Sequence, residues 1–111
     1  MAALTSTSIV TAGVLAASAA VSASDTIAEA QFGSTGVVLR VINGGASPDN
    51  VSISDPGLTA LGNAGTVVPV AVANGTTKTI LIPRSAINSS TGVATVAHSF
   101  TTTVTYELYK A

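Results

Sequence analysis

The densest run of β-branched residues is Gly36-Val37-Val38-Leu39-Arg40-Val41-Ile42-Asn43, and it ends in Gly44-Gly45-Ala46-Ser47-Pro48. Strand side chains alternate between faces, so Val37, Leu39 and Val41 share one face and Val38, Arg40 and Ile42 the other. A run apolar on nearly both faces is the pattern of a central strand, covered on one side and partly on the other. Glycine at both ends and the stiffness of Val and Ile argue against a helix. The pattern therefore predicts a central strand whose pairing partners come from the C-terminal half.

Shorter strands follow. Val51-Ser52-Ile53-Ser54 alternates as a half-buried strand does, and Asp55-Pro56-Gly57 stops it with turn chemistry. Leu58 to Gly65 reads as a loop. Val67 to Ala73 is the next strand, with Val68, Val70 and Val72 on one face and Pro69 marking an edge or bulge. Asn74-Gly75 signals a type I′ hairpin, returning through Lys78–Ile82 with Ile80 and Ile82 inward. A helical turn is expected over Ser85–Asn88, a turn at Gly92 and a strand over Val93–Ala97. The cleanest alternation is Thr101 to Tyr109, with Val104, Tyr106 and Leu108 on one face. Short strands punctuated by turns predict an all-β fold, a small antiparallel β-sandwich or jelly-roll-like barrel of five to eight strands. The expected core is Leu39, Val41, Ile53, Val70, Ile80, Ile82, Val96, Val104, Tyr106 and Leu108.

The first 31 residues read differently. Val21-Ser22-Ala23 looks like a secretory cleavage site, but no Lys or Arg precedes Arg40, so the positive n-region of a leader is missing. Thr5, Ser6, Thr7, Ser8, Thr11 and Ser18 break any run long enough to span a membrane. Residues 1–31 are accordingly expected to be an N-terminal arm with a short strand near Ser8–Leu15, and residues 32–111 the sandwich domain. Asp25 with Glu29 is a loose helix-start signal, giving at most a turn or two from Thr26 to Gln31.

Composition narrows the function classes. At 111 residues there is room for one core. Charged residues make up 8% of the chain with a net charge of −1, and the cations Arg40, Lys78, Arg84 and Lys110 are scattered singly. No basic patch follows a phosphate backbone, so nucleic acid is not an expected partner. The absence of cysteine removes disulfides, thiolate metal sites and cysteine nucleophiles. Low charge with high apolar content suits either a plain small-residue β-protein or a chain packed against neighbours.

Candidate chemistry is sparse. His98 is the only histidine, and a lone imidazole needs a nucleophile, an orienting acid and an oxyanion site to act. Ser99 should point to the opposite face from His98. Asp49, Asn50 and Asp55 lack the alternate spacing and central glycine of a calcium loop, and turn-forming Asp beside Pro accounts for them better. Asn50-Val51-Ser52, Asn74-Gly75-Thr76 and Asn88-Ser89-Ser90 match the glycosylation acceptor pattern, as expected by chance in a chain rich in Ser and Thr. Gly44-Gly45, Gly62 to Gly65 and Gly75 lack the strand-to-helix context and the following Lys-Ser/Thr of a phosphate loop. No paired acids suggest glycoside chemistry. The expectation is a non-enzymatic protein with no cofactor and no metal.

Several stretches, taken in order, resemble the small virion proteins of tailed, actinophage-type bacteriophages, the head decoration or minor capsid proteins. These are the Leu4-Thr5-Ser6-Thr7-Ser8-Ile9-Val10-Thr11-Ala12-Gly13 opening, the Ser24-Asp25-Thr26 step, Leu39 to Ser47 through Asn43-Gly44-Gly45, and Val51-Ser52-Ile53. Ile80-Leu81-Ile82-Pro83, Gly92-Val93 and the Thr-Val-rich final strand complete the series. The resemblance spans nearly the whole chain as one of texture and order, and Arg40 inside the central strand departs from it.

That resemblance implies a capsid decoration protein on the outer surface of the major capsid protein shell, made in the cytoplasm of a bacterial host. It implies a homo-oligomer, a trimer foremost, and neither nucleic acid nor membrane as partner. The arm residues Leu4, Ile9, Val10, Val14 and Leu15 are the expected contacts to subunits or capsid. The arm should either pair into its own sandwich or lie on a neighbour. A tail or fibre component is the nearest alternative; a secreted carbohydrate-binding β-sandwich module is the alternative of another class.

Overall fold

The Val37–Asn43 run lies between two strands drawn from the C-terminal half, in a computed structural model that describes residues 2–14, 18–54, 61 and 69–111. In chain order the strands are β1 (Ala2–Ala3), β2 (Ala19–Ala20), β3 (Ser24–Ala28), β4 (Val37–Asn43), β5 (Asp49–Ile53), β6 (Val70–Val72), β7 (Thr77–Ile82), β8 (Val93–His98) and β9 (Val104–Lys110). They form a sandwich of two sheets, ordered β1-β3-β8-β5-β6 and β2-β9-β4-β7. β4 pairs with β7 from Val37↔Ile82 to Ile42↔Thr77, and with β9 from Val37↔Lys110 to Asn43↔Val104. The central strand is where the β-branched run placed it.

Alternation also sets the faces. Val37, Leu39 and Val41 are fully buried, Val38 and Ile42 are half-buried, and Arg40 is exposed. From the facing sheet come Ile27, Val51, Val72, Ala94 and Val96, all fully buried. Each Val, Leu or Ile taken wholly out of water contributes about 1.5–3 kcal/mol, so this double layer is the main source of stability. Of the expected core, Leu39, Val41, Ile82, Val96, Val104, Tyr106 and Leu108 are buried. Ile53 and Ile80 pack against the core half-exposed, and Val70 is half-buried.

Six expectations are corrected. Residues 8–14 form no strand: Gly13 N–H bonds to Val10 C=O at 2.9 Å, closing a turn, and Leu15 lies outside the described residues. The turn or two of helix allowed over Thr26–Gln31 shrinks to one 3₁₀ turn, Glu29–Gln31, because β-branched Thr26 and Ile27 belong to β3. β3 pairs along five residues with β8, so the arm gives way to the sandwich before residue 31. The pairing is not wholly antiparallel, because β1 runs parallel to β3 through Ala2↔Asp25 and Ala3↔Thr26. Counting the dipeptide strands β1 and β2, there are nine strands among the described residues rather than eight at most.

The sixth correction concerns Asn74-Gly75. Thr76 N–H bonds to Ala73 C=O at 3.1 Å, with Gly75 at φ +76 and Asn74 outside the left-handed region. That is the φ pattern of type II, not type I′. β4 holds the turn from the side: Gly75 N–H donates to Asn43 C=O at 2.8 Å, and Asn43 N–H to Thr76 C=O at 3.0 Å. The chain thus passes from the edge of one sheet to the edge of the other instead of pairing β6 with β7. The Asp55-Pro56-Gly57 stop, Val67, Val68 and the Leu58–Gly65 loop other than Leu61 lie outside the described residues.

Every connection between successive strands except β5–β6 crosses between the sheets. The N-terminal segment closes one flank. Leu4 N–H bonds to Thr26 C=O at 2.8 Å in the first sheet, and Thr7 N–H bonds to Leu108 C=O at 2.8 Å in the second. β2 then returns along β9, and Val21 enters the core on the way to β3.

Candidate functional site

Two features stand apart from the apolar sandwich, a buried charged cluster and an exposed apolar loop. The cluster follows from period-two alternation. Asp25 shares the inner face of β3 with Ile27, Asp49 that of β5 with Val51, and His98 that of β8 with Ala94 and Val96. Registers Asp25↔Val96 and Val51↔His98 make both acids diagonal neighbours of the imidazole.

His98 Nδ1 lies 2.6 Å from Asp49 Oδ2, and Nε2 lies 3.9 Å from Asp25 Oδ2. All three side chains are out of contact with solvent. A buried charge is tolerable only when paired and hydrogen-bonded. Asp49 Oδ1 accepts the Ser99 N–H at 3.0 Å and the Phe100 N–H at 3.2 Å. Asp25 accepts the Ser22 N–H at 3.1 Å and the Ser22 hydroxyl. Among the described residues His98 Nε2 finds no hydrogen-bond partner.

An Asp–His pair resembles two-thirds of a nucleophilic triad, but a carboxylate stands where the nucleophile would be. Ser99 is on the opposite face, as expected; it is exposed, and its Oγ accepts the Asn50 N–H at 2.8 Å. The cluster thus ties β3, β5 and β8 together from inside. Among the described residues no group of three or more His, Cys, Asp or Glu is arranged to hold a metal ion. Asp55 lies outside them.

Asn43 extends the polar end of the core. Its Nδ2 donates to Ser47 C=O at 2.9 Å and Val72 C=O at 3.0 Å, and its Oδ1 accepts the Gly45 N–H at 3.0 Å. Gly45 is required there, since a Cβ would lie 2.4 Å from the Phe100 ring and 2.5 Å from Thr102 O.

The outer face of the second sheet carries a further charged group. Arg40 and Glu107 are register partners, with Nη1 3.4 Å from Oε1. The Tyr109 hydroxyl donates to the same Oε1 at 2.6 Å, and that bond to the carboxylate raises the Tyr109 pKa above 10.0. A shallow cleft of about 230 Å³ lined by Ile53, Ser54, Pro83, Ser85 and Ala86 carries no titratable side chain. It is smaller than an ordinary small-molecule site of roughly 300–1,000 Å³.

The structure separates the five arm residues. Leu4 is 3% exposed and lies in the chain's own core. Ile9 is 66% exposed, Val10 54% and Val14 39%, on the loop between Thr7 and β2, while Leu15 falls outside the described residues. Soluble monomers seldom leave such contiguous apolar side chains in water. Leu61 and Leu81 are also exposed. Among the described residues no helix is long and apolar enough to cross a membrane. Comparison with family models, curated proteins and solved structures returned no match.

Proposed function

We propose that this chain is a non-enzymatic virion structural protein, a decoration protein that binds the outer surface of a major capsid protein shell and stabilises it. It works there as a homo-oligomer, a trimer foremost, and recruits no cofactor. The observation that carries this reading is the exposed Ile9, Val10 and Val14 loop, thrown out from a segment that is otherwise anchored on both sheets. The polar cluster is closed to solvent and has the character of an internal brace, which favours a structural over a catalytic role. The ordered sequence stretches that resemble those of tailed-phage decoration proteins support the same reading.

The carbohydrate-binding alternative loses support from the aromatic residues. Sugar platforms need exposed rings, whereas Phe32 and Tyr106 are buried and Phe100 and Tyr109 half-buried. The test is co-sedimentation with shells lacking the native protein. Wild-type chain should pellet with the shells, and an Ile9→Ser/Val10→Ser/Val14→Ser variant with unchanged circular dichroism should stay in the supernatant. Equal pelleting of the two would remove the loop from the interface. Location of the wild-type chain in the tail of a purified particle would make it a tail component.

A further inference from the structure

We propose that the N-terminal segment Ala2–Thr7 is exchangeable between copies, seating on its own sandwich or in the same slot of a second copy. The slot is well defined. Leu4 fills a core position and donates its N–H to Thr26 C=O at 2.8 Å. Ser6 donates from its N–H to Gln31 Oε1 at 2.8 Å and from its hydroxyl to Gln31 C=O at 2.7 Å. Thr7 bridges β9, donating to Leu108 C=O at 2.8 Å and accepting the Lys110 N–H at 3.0 Å. Each partner lies on the body of the domain, so a segment from another copy makes the same contacts, and exchange is neutral in contacts.

The tether is longer than its home position needs. Thr7 sits opposite Tyr109 and Ala19 opposite Tyr106 on one edge of β9, roughly 10 Å apart at about 3.4 Å per residue. The intervening residues, 8–18, reach about 40 Å when extended. The domain measures 42 × 35 × 20 Å, so the tether spans to a neighbour lying alongside. Residues 8–14 are all exposed, so drawing that stretch straight uncovers no core.

A short flexible tether holds its segment at an effective concentration of about millimolar, so exchange prevails where copies are crowded to that level. Crowding on a shell is the one respect in which this inference rests on the proposed function. The test uses the free chain, so its failure leaves shell binding untouched.

The chain has no cysteine, and Ala3 and Thr26 are register partners. Neighbouring strands at about 4.8 Å fall within the Cα spacing a disulfide accepts. Ala3→Cys and Thr26→Cys are made in separate chains, mixed at about millimolar concentration and oxidised. The expected product is a covalent heterodimer, lost when residues 9–14 are deleted from both chains. Absence of the heterodimer, while the double variant closes its bridge within one chain, overturns the exchange. If the bridge fails even within one chain, light scattering of the unsubstituted protein at the same concentration decides. A monomer, or a dimer that survives the 9–14 deletion, overturns exchange; a dimer that the deletion returns to monomer supports it.

Discussion

Asp49 and His98, side by side on β5 and β8, meet at 2.6 Å with neither side chain open to solvent. Removing one member of a buried pair strands the other, at a cost of about 3–5 kcal/mol. Asp49→Ala should lower stability by that amount, measured by urea unfolding. Asp49→Asn retains an acceptor for the Ser99 and Phe100 N–H groups and should lose less. Equal stability of Asp49→Ala and wild type would show that the pair contributes nothing net.

Core truncations should be graded by burial. Leu39 is fully buried and Leu39→Ala should cost about 2–5 kcal/mol. Its register partner Ile80 is only half-buried, so Ile80→Ala should fall at or below the lower end. Leu81, 57% exposed on the outer face, should change stability by no more than about 0.5 kcal/mol when truncated. Thermal melts of the three variants check the order.

Gly45→Ala drives a methyl group into the Phe100 ring edge and the Thr102 carbonyl. Overpacking of this kind costs about 1–3 kcal/mol. A crystal structure of the variant should show Phe100 displaced. An unmoved ring with unchanged stability would contradict the close approach.

The Tyr109–Glu107 bond sets an alkaline limit. Hydrogen bonding to the carboxylate holds the phenol pKa above 10.0, so the neutral form is favoured in the folded state. The contribution is complete below the unfolded value and is lost as pH rises through the raised folded value. The urea midpoint of the wild type should fall as pH climbs above 10.0, and Tyr109→Phe should show a shallower decline over the same range. Identical pH profiles would remove Tyr109 as the source.

The fold was legible where alternation and apolarity agreed. Val37–Asn43 and Val104–Leu108 display period two in apolar side chains, and both are strands with the expected faces. The cluster was hidden because the same alternation ran through charged residues. Asp25-Thr26-Ile27, Asp49-Asn50-Val51 and Val96-Ala97-His98 each place the polar residue in phase with a buried aliphatic one. Asp beside Ser or Pro nevertheless reads as turn chemistry, and pairing across strands far apart in sequence cannot be seen locally. Asn74-Gly75 misled for the same reason: a dipeptide reports the turn, while the Asn43 backbone decides which sheet the chain enters.

The repeated passage between sheets has a consequence for how the chain is made. β4 needs β9 beside it and β3 needs β8, so the closing partners are made long after the strands they complete. Ser24 must find Ala97, and Val37 must find Lys110. Such distant pairings require long loops to close before any contact rewards them, which places folding in the millisecond-to-second range of β-sandwiches. While the chain is still emerging, the apolar face of β4 has no sheet to lie against. The second sheet is completed only once residues 104–110 have joined it.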